Sequence, residues 1–89
     1  MPMTILAVFR SRTQSVDYVR RLTGYGITAQ TVSTPREIKI GCGLSVTFDS
    51  VYFARARAVL ALGKYSAFKG FYKLGYLSGS PTFLPYVDR

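Results

Sequence analysis

Thr4–Phe9 (TILAVF) is a short unbroken apolar run with β-branched and aromatic members, which predicts a buried strand. After it, Val16, Val19 and Leu22 recur at helical spacing, with Asp17, Arg20 and Arg21 between them as on a solvated face. Ser11 and Thr13 are candidate N-caps for this helix, and Gly24 and Gly26 are its stop signals. Ile27–Val32 (ITAQTV) and Leu44–Phe48 (LSVTF) alternate apolar and polar residues, the pattern of half-buried strands. Asp49-Ser50 is an N-cap signal for a second, Ala-rich helix over Val51–Leu62, with Arg55 and Arg57 on its exposed side and Gly63 at its end. Ala67–Leu74 (AFKGFYKL) is ambiguous by period, but its aromatics and Gly70 favour a strand.

The order strand, helix, strand, strand, helix, strand predicts an α+β domain. The expected packing is ferredoxin-like βαββαβ: one antiparallel sheet with two helices on one face. Ser78-Gly79-Ser80-Pro81 is a turn or linker signal. The expected organisation is a body over residues 1–77 and an aromatic, proline-containing tail over 78–89.

Composition narrows the chemistry. The chain has 89 residues, 48% of them hydrophobic, including seven Tyr and six Phe, so one modest core forms without disulfides. Histidine is absent, which removes the commonest general base and the commonest zinc ligand. The four carboxylates, Asp17, Glu37, Asp49 and Asp88, are far apart and suggest no acid/base pair. No hydrolytic or metal-dependent site, no metal and no cofactor is expected.

The formal net charge of +8 suggests an acidic partner, with nucleic acid the first candidate. The twelve basic residues are scattered rather than run together, which makes that signal unspecific. Met1–Phe9 is short and strand-like rather than a basic, apolar leader, and no apolar run reaches the ~20 residues that span a bilayer. A single free thiol fits a reducing compartment. The expectation is a soluble, cytoplasmic protein with no membrane partner.

The one cysteine, Cys42, stands between Gly41 and Gly43, shortly after Thr34-Pro35-Arg36-Glu37. Thr34 as cap, Pro35 at the first helical position and Glu37 at the third form a capping-box pattern. It predicts one short helical turn from Pro35 to about Lys39, ended by Gly41. Cys42 then follows the turn's negative end, which does not favour thiolate. Arg36 and Lys39 are the nearby sources of positive charge, and the flanking glycines leave room for a nest of N–H groups or for a partner's sulfur. Two readings stand side by side: a loop that presents sulfur, or a small buried hydrophobe beside glycines that serve a tight turn.

These residues resemble a known family. Val8-Phe9-Arg10-Ser11, the helix through Gly26-Ile27, Thr34-Pro35-Arg36-Glu37, Cys42-Gly43-Leu44 and the closing Lys69-Gly70-Phe71-Tyr72-Lys73 are similar to small bacterial proteins described as putative selenium/sulfur carrier protein-like. The resemblance covers roughly residues 4–74, and Pro-Arg-Glu…Cys-Gly is its most specific part. It implies that Cys42 accepts sulfur or selenium as a persulfide or selenide, making the protein at most a chalcogen-transfer carrier. It also implies donor and acceptor proteins as partners. Thr34, Pro35, Arg36, Glu37, Lys39, Gly41 and Gly43 would then form the supporting loop. The competing reading is a basic binding module or small adaptor subunit, for nucleic acid or an acidic protein, with an incidental cysteine. A homo-oligomer is compatible with either.

Overall fold

The computed structural model describes residues 3–36, 38 and 43–86. Five strands form one antiparallel sheet in the order β2-β3-β1-β4-β5. They are β1 (Thr4–Phe9), β2 (Ala29–Ser33), β3 (Leu44–Asp49), β4 (Phe68–Leu77) and β5 (Ser80–Pro85). Two helices accompany them, α1 (Arg12–Gly24) between β1 and β2 and α2 (Phe53–Gly63) between β3 and β4. The expected four-stranded ferredoxin-like arrangement is therefore not matched as such, because residues expected to begin a tail add a fifth strand.

That fifth strand arises from a tight turn. Ser78 (φ 51°) and Gly79 (φ 81°) both take positive φ between paired Leu77 and Ser80. This is the backbone of a two-residue hairpin whose twist matches its strands. The Ser-Gly pair, legible as a turn or a linker, is thus a hairpin turn, and the chain doubles back along β4.

Alternation along β1 divides the core between the two faces of the sheet. Ile5, Ala7 and Phe9 are fully buried against Tyr18 and Leu22 of α1 and Phe53, Ala56 and Val59 of α2. Both helices therefore lie on this face. Leu6 and Val8 point to the other face and are buried with Ile38, while Val32, Tyr72 and Phe83 pack around them.

Helix α1 starts at Ser11, whose Oγ accepts from the Gln14 N–H at 3.2 Å. Its buried stripe is Ser15, Tyr18 and Leu22. Val16, expected to face the core, is 42% exposed. Tyr18 takes the core position because its hydroxyl reaches the Ala56 carbonyl of α2 at 2.7 Å. Helix α2 ends at Gly63 as expected, and the left-handed residue that follows is Lys64 (φ 52°). Gly63 has a different job: a Cβ there would lie 2.3 Å from Cε2 of Tyr65, whose ring covers it.

Candidate functional site

The candidate site is the β2–β3 connection. Its base is well defined. Ser33 pairs with Leu44 at the end of the ladder, and one residue further the Thr34 N–H donates to the Gly43 carbonyl at 3.3 Å. Residues 35–42 are the chain between those two closing groups. Within them, the Ile38 N–H donates to the Pro35 carbonyl at 3.0 Å, so one turn stands where a short helical turn was expected. Glu37, Lys39, Gly41 and Cys42 lie outside the described residues, so the capping box and the cysteine's setting stay expectations.

Thr34 joins a buried polar network at this base. Its Oγ1 and Ser45 Oγ share a hydrogen bond of 2.7 Å, and Ser45 is fully buried. Ser15 of α1, also fully buried, has its Oγ 2.5 Å from the Leu44 carbonyl and 3.0 Å from the Ser11 carbonyl, so one proton serves two acceptors. A buried hydroxyl without a partner is costly, and neither serine is left without one. The effect is to staple the first turn of α1 to the first residue of β3, two residues beyond Cys42 in the chain.

Other elements converge on the same end of the sheet. Phe9 pairs with Leu44 on one side and Phe68 on the other. The Arg10 N–H donates to the Ala67 carbonyl at 2.9 Å. Gln14 clamps the chain before β4, donating to Ser66 Oγ at 3.1 Å and accepting from the Ala67 N–H at 2.8 Å. Arg10, Arg12, Arg36 and Lys69 are exposed within a few residues of this row. With the N-terminus of α1, whose dipole is positive, they give this end of the sheet a positive charge. The remaining cations on α1 and α2, including Arg20, Arg21 and Arg55, are exposed on the outer helix layer. Lys73 belongs to neither group, since it pairs with Ile5 from β4.

Two features escaped sequence reading. Ser15, Tyr18 and Leu22 share the i, i+3, i+7 spacing of a buried stripe, but a serine in that stripe does not announce which carbonyl it will meet. Ile38 is the second: it is only 6% exposed although it belongs to a loop. Its apolar side chain between Glu37 and Lys39 was the available signal.

Among the described residues no group of three or more His, Cys, Asp or Glu could hold a metal ion. A cleft of about 470 Å³ lies along Thr4, Thr28, Gln30, Thr47, Asp49 and Tyr52. The Thr4↔Asp49 pair is the end of the sheet opposite the loop base, so this cleft is not part of the candidate site. Among the described residues, no helix is long and apolar enough to cross a membrane.

A family model described as "Putative Se/S carrier protein-like" matches residues 4–73, well over half of the chain. The chain belongs to that family. The match runs from β1 through the β2–β3 connection, with Cys42, into β4. It ends before β5, so the fifth strand lies beyond the region the family model describes. No curated protein and no solved structure matches the chain.

Proposed function

We propose that the protein is a cytoplasmic sulfur or selenium carrier that uses Cys42 as the acceptor, moving the atom between a donor protein and an acceptor protein. The observation that carries this reading is the family match across the chain's one cysteine. The ferredoxin-like unit, on this reading, is β2-β3-β1-β4 with both helices, and β5 is an addition to it.

The chemistry is a thiol exchange. Cys42 gives its proton to solvent, and the thiolate attacks the outer sulfur of a donor persulfide. A new S–S bond forms at Cys42 Sγ. The donor's S–S bond breaks, and its electron pair leaves on the donor thiolate. No net oxidation occurs, and the same exchange run onto an acceptor thiol discharges the carrier. With selenium, the transferred atom is Se and the bond formed is S–Se.

Several features support this role. Functional groups are often carried on loops over a rigid sheet, and the Thr34–Gly43 bond fixes both ends of this one. No histidine exists to take the proton, so the thiolate must be favoured by field alone. The stapled N-terminus of α1, with Arg10, Arg12 and Arg36, supplies a field of the right sign. Of these, Arg36 was expected from the sequence, while the α1 N-terminus, Arg10 and Arg12 were not.

The test is loading. Protein is incubated with a small-molecule persulfide, or with selenide and an oxidant, and its intact mass is measured without reductant. The expected result is a gain of one sulfur or selenium atom in the wild type and none in Cys42→Ala. A wild type that gains neither, or a Cys42→Ala that gains as much, overturns the reading.

A further inference from the structure

The sheet has two outer strands, β2 and β5, and their outward edges differ. On β5 the Tyr86 N–H donates to the Phe71 carbonyl, in line with the Tyr72↔Pro85 register. Antiparallel strands turn alternate residues toward the partner, so Ser80, Thr82 and Leu84 present their backbone groups to β4. Pro81, Phe83 and Pro85 present theirs outward, and proline has no N–H. The outer edge of β5 therefore offers a donor at Phe83 alone, and no regular ladder can be built on it.

The outer edge of β2 is the opposite. The Thr34 N–H donates to the Gly43 carbonyl, in the register that continues Ser33↔Leu44. Gln30 and Val32 then face β3, while Ala29, Thr31 and Ser33 turn their N–H and C=O groups outward. Among the described residues no hydrogen bond closes on those outward groups. Gln30, Thr31 and Ser33 are exposed, so their side chains leave the edge open. Proline, charge and bulges are what keep natural edges from pairing, and β2 has no proline, no charge and no shift of register.

We propose that β2 is the joint of a symmetric dimer, in which β2 of a second copy pairs with it antiparallel about a two-fold axis at Thr31. Thr31 then meets the partner's Thr31, a favourable cross-strand pair, and Ala29 meets the partner's Ser33. Each outward N–H of the strand finds a carbonyl. Charge selects a second copy for this place. Chains with a formal charge of +8 repel one another, and the stretch from Leu22 to Pro35 carries no charge at all, so like-charged copies approach there at least cost. Association also closes at the dimer, because the joined sheet ends on both sides in the proline-blocked edge of β5. A five-residue strand falls well short of the ~20–30 residues a side of a stable interface, so the dimer is weak and depends on concentration. The two β2–β3 connections leave from opposite ends of the joint. None of this depends on the carrier reading.

The experiment follows sedimentation and amide hydrogen exchange of the full chain from about 10 μM to about 1 mM. The mass is expected to rise toward that of two chains. The amides of Ala29, Thr31 and Ser33 exchange freely at the low end and severalfold more slowly at the high end, while that of Phe83 does not change. Thr31→Lys opposes two ammonium groups at the axis, and Thr31→Pro removes the central outward donor. Each shifts the dimer to at least tenfold higher concentration and keeps the cooperative thermal transition. If Thr31→Pro does not fold, Thr31→Lys, at an exposed side chain, decides alone. A single-chain mass throughout, exchange at Ala29, Thr31 and Ser33 that is independent of concentration, or a dimer unchanged by Thr31→Lys overturns the proposal. Failure of the carrier reading is seen separately, as a wild type that takes up neither sulfur nor selenium.

Discussion

The Tyr65 hydroxyl donates to Asp17 Oδ2 at 2.6 Å, tying the segment after α2 to the middle of α1. Asp17 also accepts from Arg21 Nε at 3.1 Å. These hydrogen bonds, Tyr65's first, hold the Asp17 carboxyl below its ordinary pKa of 3.8. Desolvation, then the bond to Asp17, pushes the Tyr65 hydroxyl up from 10.0 to about 12. Both shifts make the stability depend on pH, in opposite senses. For Asp17, whose folded pKa is depressed, the contribution is present above 3.8 and is lost as pH falls through the folded value. For Tyr65 it is present below 10.0 and is lost as pH rises toward about 12. The stability difference between wild type and Tyr65→Phe should therefore be constant near neutrality and shrink at both extremes. Urea titrations across pH check this, and a difference that grows above pH 10.0 would contradict the bond.

Tyr18 is a stricter case, since it is fully buried and donates to the Ala56 carbonyl at 2.7 Å. Burial, chiefly, drives its pKa well above the ordinary tyrosine value. Tyr18→Phe keeps the ring and its contact with Phe9, at 5.5 Å between centroids, but removes the donor. The expected loss is about 0.5–1.5 kcal/mol, the net worth of one hydrogen bond, because the Ala56 carbonyl lies within α2 and keeps its helical partner. Chemical denaturation measures it, and a loss of several kcal/mol would mean that the ring itself is displaced.

Gly63→Ala should cost about 1–3 kcal/mol, because the new methyl meets the Tyr65 ring at a distance real Cβ atoms do not show. If the ring moves away, its bond to Asp17 breaks as well. The double variant Gly63→Ala/Tyr65→Phe should then lose less than the sum of the two single losses. Simple additivity would show that the ring shifts without releasing Asp17.

The chain's sequence showed some of this architecture and hid the rest for identifiable reasons. Thr4–Phe9 was legible to the residue because a strand buried on both faces is one unbroken apolar run. The start of α1 was legible from Ser11, whose cap is a local interaction. The face of α1 was not: Val16, Val19 and Leu22 make as good a stripe as Ser15, Tyr18 and Leu22 until the partner carbonyls of Leu44 and Ala56 are known. Strand β5 was obscured by Ser78 in a left-handed conformation that serine rarely adopts. At the candidate site the cysteine and its neighbours stood out by motif. The burial of Ile38 did not, since it depends on Leu6 and Val8 being left uncovered by both helices.

Removal of residues 78–89 should unfold or severely destabilise the protein. Tyr86 stacks edge-on against Phe53, with centroids 4.7 Å apart, and its N–H donates to the Phe71 carbonyl at 2.9 Å. Phe53 and Phe71 are themselves in contact at 4.9 Å, so the segment after β5 joins the aromatic core. Fully buried aromatics cost about 3–5 kcal/mol to lose, and partly buried Tyr86 goes together with the whole β4–β5 pairing, against a small domain's ~5–15 kcal/mol. Melting curves of the truncated protein decide the matter. A transition within a few degrees of the full chain's would mean that the body stands without its fifth strand.

The last prediction concerns the field around the thiol. Thiolate is the reacting form, and its fraction near neutral pH rises with nearby positive charge. Arg36 is exposed and stands three residues from Ser33, the last residue of β2. Arg12 opens α1, whose first turn is stapled through Ser15 to Leu44. Arg57 lies elsewhere, on α2 with its guanidinium 6.0 Å from the Phe53 ring centroid. Arg36→Glu and Arg12→Glu should each slow alkylation of Cys42 near neutral pH, by about two- to tenfold at low salt, where exposed charges are least screened. Arg57→Glu should change the rate much less. Raising the ionic strength should shrink the gap between the three variants, because the interaction runs through solvent. Above the thiol's own pKa the gap should close as well, since the thiol is then ionised in every variant. Equal rates for all three at neutral pH and low salt would remove the electrostatic account of Cys42. A rate that falls in Arg36→Glu but stays depressed at high salt and high pH would assign Arg36 a steric role in the loop instead.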